Sequence, residues 1–108
     1  MHVRIARFEG VDRARVDADA EQFKKMLRSE ERPDWMPEKA FSTLREGVTR
    51  VISLVDREAG VTVDLTFTGS PEDARRVDEA LNSLNPPEGV GKRASVQTFE
   101  LLLDEQLS

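Results

Sequence analysis

The stretch Val61–Thr68, VTVDLTFT, narrows what this chain can fold into more than any other. Val61, Val63, Leu65 and Phe67 alternate with Thr62, Asp64, Thr66 and Thr68. That period of two marks a strand with one apolar and one polar face. A second apolar-rich run, Val48–Val55, precedes it, and Asp56-Arg57-Glu58-Ala59-Gly60 between them has turn chemistry. Gly60 stands where a positive φ is needed. Pairing Asp56 with Val61 sets Leu54 opposite Val63 and Ile52 opposite Leu65, with Ser53 by Asp64 and Val51 by Thr66 on the other face. A slip of one residue would mix the two faces, so this register is the expected one. The Val63-Leu65-Phe67 side is expected to form the core under helices.

The other segments read as what extends or covers this hairpin. Val3–Glu9 is a strand with imperfect alternation, suited to a central place in a sheet. Gly10-Val11-Asp12 turns into a helix with Asp12 as the expected N-cap and Val16, Ala20, Phe23 and Leu27 as its buried stripe. Ser29–Met36 is a charged loop holding the single tryptophan, Trp35. Pro37 opens a second helical piece with Ala40, Phe41 and Leu44 inward, and Gly47 is expected to close it in a left-handed turn. Ser70-Pro71-Glu72-Asp73 starts the last helix, with a serine cap, an early proline and acids at its positive end. Val77, Ala80, Leu81 and Leu84 are its stripe, Asn85-Pro86-Pro87 its stop, and Ala94–Leu103 the fourth strand. The order strand, helix with an extra helical piece, strand, strand, helix, strand is α+β. A short echo, Ala14-Arg15-Val16-Asp17 against Arg75-Arg76-Val77-Asp78, agrees weakly with two related strand–helix halves.

Composition removes several classes of function. The 108 residues suit one domain, taken as residues 1–108. Acids outnumber bases 21 to 16, for a net charge of −5, against the basic surface that nucleic acid requires. The two signs are interspersed, so neither forms a steering stripe. Without cysteine there is no disulfide, thiolate metal site or cysteine nucleophile. MHVRIARFEG has no apolar signal-peptide core, and the longest apolar run is Leu101-Leu102-Leu103, so a cytoplasmic protein with no membrane partner is expected. Gly89-Val90-Gly91-Lys92 lacks the spacing and the hydroxyl of a phosphate-binding loop and leads from helix to strand.

In this order, Val3-Arg4-Ile5-Ala6-Arg7-Phe8-Glu9-Gly10, Leu54-Val55-Asp56-Arg57-Glu58-Ala59-Gly60 and Ser70-Pro71-Glu72-Asp73-Ala74 resemble the dimeric α+β barrel superfamily, which includes the antibiotic-biosynthesis monooxygenase-like proteins. The resemblance spans essentially the whole chain and rests on strand, turn and cap residues. It implies a ferredoxin-like βαββαβ sandwich with a four-stranded antiparallel sheet. Two such sheets meet through the faces free of helices and enclose a cavity. Some members degrade haem and some oxidise aromatic compounds without a cofactor. The asparagine, histidine and tryptophan of haem-degrading members have no counterpart, because Asn82 and Asn85 end the last helix, His2 precedes the first strand and Trp35 is in a loop. No cofactor and no metal are therefore expected.

The candidate constellation is Arg4, Asp64 and His2, with Phe8, Thr62, Thr66 and Trp35 as further cavity candidates. If the first and third strands are neighbours, Arg4 and Asp64 could share the face opposite the helices. There they could orient a polar substrate, or simply form a structural ion pair that fixes the dimer. His2 could serve as a base only beside Asp64. Trp35 is a lid or partner contact on one reading and an anchor packing its loop on the other. The fourth strand is apolar on both sides at its end, through Phe99, Leu101, Leu103 and Leu102, which points to an edge strand covered by a second copy. The expectation is a homodimer that binds a small, largely apolar molecule at the sheet–sheet interface. The alternative is a cofactor-independent monooxygenase acting on an aromatic substrate.

Overall fold

A computed structural model describes residues 1–29, 31–85 and 89–108. Its elements are β1 (His2–Glu9), α1 (Val16–Arg28), α2 (Glu38–Gly47), β2 (Val48–Asp56), β3 (Val61–Thr68), α3 (Pro71–Asn82) and β4 (Lys92–Glu100). The four strands form one antiparallel sheet in the order β2-β3-β1-β4, which puts β1 and β3 at the centre and β4 at an edge, as expected. The fold is α+β, and no helix among the described residues is long and apolar enough to cross a membrane.

The hairpin has the register read from the alternation, from Asp56↔Val61 through Ser53↔Asp64 to Val51↔Thr66. Gly60 turns it at φ 69°, and its N–H donates to the Asp56 carbonyl at 3.0 Å. The Asp56 carboxylate also accepts from the Ala59 N–H at 3.0 Å, a local Asx bond that fixes the turn. The turn is held to the segment after β1. Arg57 reaches Asp17 with two bonds, at 2.8 and 3.2 Å, and Arg13 Nε donates to the Arg57 carbonyl at 2.7 Å.

The helices and the loop between the first two depart from the sequence expectations at several points. Asp12 does not cap α1; its carboxylate accepts from the Ala14 N–H at 3.0 Å in a preceding turn, and the helix begins at Val16. The buried residue of α1 is Met26, while Phe23 and Leu27 are half-buried and Ala20 is exposed, so the helix leans on its neighbours through its last turns. Met36, 1% exposed, is the residue that anchors the loop before α2, and Trp35 is 47% exposed, which overturns the anchoring role considered for the tryptophan. The start of α3 is as expected, with Ser70 Oγ accepting from the Asp73 N–H at 3.1 Å. The expected stop at Asn85-Pro86-Pro87 falls partly outside the described residues; α3 ends earlier, at Asn82.

Gly47 is required for closeness rather than for handedness. It has no positive φ, and α2 runs directly into β2. A Cβ on Gly47 would meet Val77 Cγ2 at 2.9 Å, and Val77 is fully buried where α3 packs on α2. Alanine would gain about 1 kcal/mol of helix propensity here. Overpacking against a stiff β-branched side chain costs about 1–3 kcal/mol, so the clash is the larger effect. Gly47→Ala is therefore expected to lower the urea midpoint of unfolding. A higher midpoint would show that α2 and α3 can separate freely.

Candidate functional site

Direct pairing across strands sorts the sheet residues into two faces. One face carries the rungs Val51–Thr66–Arg4–Thr98 and Ser53–Asp64–Ala6–Val96, with Phe8 opposite Thr62 and His2 opposite Thr68 beyond them. The other carries Arg50–Phe67–Val3–Phe99, Ile52–Leu65–Ile5–Gln97 and Leu54–Val63–Arg7–Ser95.

The helices lie on the first, polar face. Arg4 Nε donates to Asp78 Oδ1 at 2.9 Å and Arg4 Nη2 to Asn82 Oδ1 at 2.7 Å, both on α3. Arg93 Nη2 donates to the carbonyls of Leu81 and Leu84 at 3.1 and 3.3 Å while its guanidinium lies 5.9 Å from the Phe8 ring centre. The last turn of α3 has no basic residue of its own, so Arg93 supplies from β4 the cation that the helix's negative end favours. The expected placement is thus reversed. Arg4, Phe8, Thr62, Asp64 and Thr66 share one face, but it is the face under the helices.

Burial governs the chemistry of this inner face. Among the described residues one apolar cluster lies between the helices, around Met26, Met36, Phe41 and Val77, and a second on this face, around Ala6, Phe8 and Val11. Arg4, Thr66 and Thr68 are buried on the same face. Desolvation holds Arg4 below the usual arginine range, offset by the hydrogen bond and the charge of Asp78. Desolvation likewise pushes the Asp64 carboxyl up from its ordinary 3.8, against the hydrogen bond donated by Ser53 Oγ and the field of Arg4. Arg4 and Asp64 are diagonal neighbours, but the guanidinium donates to α3 rather than to Asp64. The arrangement is an ion pair that ties α3 to the sheet. It does not present a free cation to a substrate.

The remaining candidates are scattered. His2 pairs with Thr68, four residues along β3 from Asp64, which at about 3.3 Å per residue is some ~13 Å. It is therefore not placed to act as a base with Asp64. Trp35 precedes α2 and lines neither the cleft beside the Gly60 turn nor the one between α1 and β2. The sequence did hold a signal for the true contact. Asp78 and Asn82 are four apart on α3, beside the stripe of Val77 and Leu81, so a polar row accompanies the apolar one toward the sheet.

The outer face is the opposite in character. Leu54 is 52% and Phe99 49% exposed, with Ile5, Ile52, Val63 and Leu65 half-buried between them. One end is covered by the segment after β4. The Leu101 N–H donates to the Met1 carbonyl at 2.8 Å, and Asp104 pairs at 3.6 Å with Arg50, itself stacked 5.5 Å from the Phe67 ring centre. Since β1 and β3 separate β4 from β2, the Arg50–Asp104 pair brings the segment across that end of the sheet, where Val3 and Phe67 are buried. Its own Leu102 is 96% exposed. No family model, no curated protein and no solved structure matches this chain.

Two outcomes test this account of the inner face. Replacing Arg4 with Met strands the partly exposed Asp78, which can hydrate. The expected loss is therefore about 1–3 kcal/mol in urea unfolding, below the ~3–5 of a fully buried pair. Arg4→Met with Asp78→Leu should recover much of it, and an unchanged loss in the double variant would contradict a paired contact. The second outcome concerns pH. An acid with a raised folded-state pKa keeps its proton when folded at pH values where the unfolded chain has lost it. Stability from Asp64 thus falls as pH rises from 3.8 through the raised value and stays lost above it. Asp64→Asn should be more stable than the native chain at pH 7, with the gap closing below pH 3.8. A gap independent of pH would show that Asp64 is not desolvated.

Proposed function

We propose that the protein acts as a homodimer in which two sheets pack through their outer faces and enclose a cavity that takes a small, largely apolar molecule. The observation that carries this reading is the apolar outer face, where Ile5, Ile52, Leu54, Val63, Leu65 and Phe99 have no helix over them. A contiguous apolar patch of this kind marks an interface. The strand order supports the same reading. β2-β3-β1-β4, with a helical connection from β1 to β2 and another from β3 to β4, fits an α+β sandwich and agrees with the ferredoxin-like βαββαβ reading on which a dimeric α+β barrel would be built. The occupant of the patch is a second copy of this chain. The face is self-complementary in character, and an isologous pair brings the apolar β2–β3 half of one copy against the same half of the other.

The lining of such a cavity differs from the sequence expectation. It is aliphatic and aromatic, with Arg7, Ser95 and Gln97 toward the β4 side, so the fitting ligand is apolar and neutral. The monooxygenase alternative relied on Arg4 and Asp64 to hold an aromatic substrate, and both now serve the interior. Binding is the reading the geometry favours.

The experiment is sedimentation velocity with the native chain and with Leu54→Lys/Phe99→Lys. Both replaced residues are about half exposed, so far-UV circular dichroism should be unchanged. The native chain is expected to sediment as a dimer at micromolar concentration and to enhance the fluorescence of a neutral apolar dye such as Nile red. The double variant should sediment as a monomer and lose the enhancement. A native monomer at that concentration overturns the proposal.

A further inference from the structure

On the helix side of the sheet, α1 stands away from β2 and leaves a cleft of about 450 Å³, within the size range of small-molecule sites. Its apolar surface comes from Phe23 and Leu27 of α1, Leu44 of α2, and Val48 and Val51 of β2, with the Ser53–Asp64 hydrogen bond at its inner edge. The charge of the lining is one-sided. Lys24, Arg28, Arg45 and Arg50 all contribute and no acid does, in a chain where acids outnumber bases 21 to 16. Two of these cations are engaged elsewhere. Arg45 donates to the Ser29 carbonyl and lies over Phe41, and Arg50 pairs with Asp104. Lys24 and Arg28 make no hydrogen bond or ion pair among the described residues. They stand four apart on α1, one turn from each other on the side that borders the cleft.

We propose that this cleft binds a small amphipathic anion, with its apolar body against Phe23, Leu27, Leu44 and Val51 and its carboxylate or sulfonate between Lys24 and Arg28. Apolar burial supplies the larger part of the affinity, and the two uncommitted cations select for a charged head through charge-assisted hydrogen bonds. The site lies within one protomer, on the opposite side of the sheet from the outer face, and does not depend on dimerisation. The two sites also differ in selectivity, since the outer face fits a neutral molecule and this cleft an anionic one.

A matched pair of probes tests it: 1-anilinonaphthalene-8-sulfonate, and N-phenyl-1-naphthylamine, which has the same aromatic body without the sulfonate. The full chain is expected to bind the sulfonate more tightly at low ionic strength, with an affinity that falls as salt is added. Lys24→Gln/Arg28→Gln should weaken the sulfonate by about tenfold or more, the scale of one lost charged contact, and leave the neutral probe unchanged. Val51→Trp, which fills the cleft, should abolish sulfonate binding while near-ultraviolet circular dichroism shows the fold intact. Leu54→Lys/Phe99→Lys separates this proposal from the dimer, because sulfonate binding should survive in it. Equal binding of both probes, an unaffected Gln variant, or loss of sulfonate binding in Leu54→Lys/Phe99→Lys alone would each overturn the assignment.

Discussion

The contact from Arg4 to Asp78 and Asn82 holds the layers of this protein in place. It exists because the strand face with threonines and an aspartate is turned toward the helices. Polar groups buried without partners cost free energy on the scale of a whole domain's stability. Here three of them have partners on the neighbouring layer or strand, Arg4 on α3, Asp64 on Ser53 of β2, and Arg93 through Nη2 on carbonyls at the end of α3, while the buried Thr68 hydroxyl has none among the described residues. Each such bond contributes modestly on balance, yet each is specific in geometry, so the set fixes where α3 lies on the sheet.

With the polar side of β3 spent on the interior, the apolar side is left over. Val63, Leu65, Ile52 and Leu54 lie on a face with no helix over it, and the segment after β4 reaches one end of that face. Because the interior is itself partly polar, two separate apolar clusters do the packing in place of one continuous core. α1 is the loosest participant, with Met26 as its buried residue, and the cleft beside β2 follows from that looseness.

Much of the fold was legible in the residues. The hairpin register, the Gly60 turn and the Ser70 cap follow from alternation, turn chemistry and capping, all of which act over a few residues, while the place of β1 beside β3 was an expectation of the family resemblance. The candidate site was legible only as a set. Arg4, Phe8, Thr62, Asp64 and Thr66 do share a face, as pairing with β1 requires. Their role was misread because hydrophobicity alone assigns the apolar face to the helices. The Asp78–Asn82 row on α3 carried the contrary signal. Met36 and Trp35 show the same limit at smaller scale: two adjacent apolar residues, of which the loop path buries the smaller and exposes the larger.

The sequence by itself therefore determined the kind and order of the elements, how the hairpin pairs, and that the sheet has two unlike faces, but not every boundary: the fourth strand, expected over Ala94–Leu103, runs from Lys92 to Glu100. Those properties depend on side-chain alternation and local backbone preference, which neighbours along the chain settle. Only the tertiary structure decided which face the helices cover. That choice depends on the path of the crossover connections and on partners more than 70 residues apart, as Arg4 and Asp78 are, with a separation of 74. Placing the helices on the polar face made Arg4 and Asp64 structural and left an apolar face with no helix over it. It also left Lys24 and Arg28 over a cleft that no pattern along the chain announces.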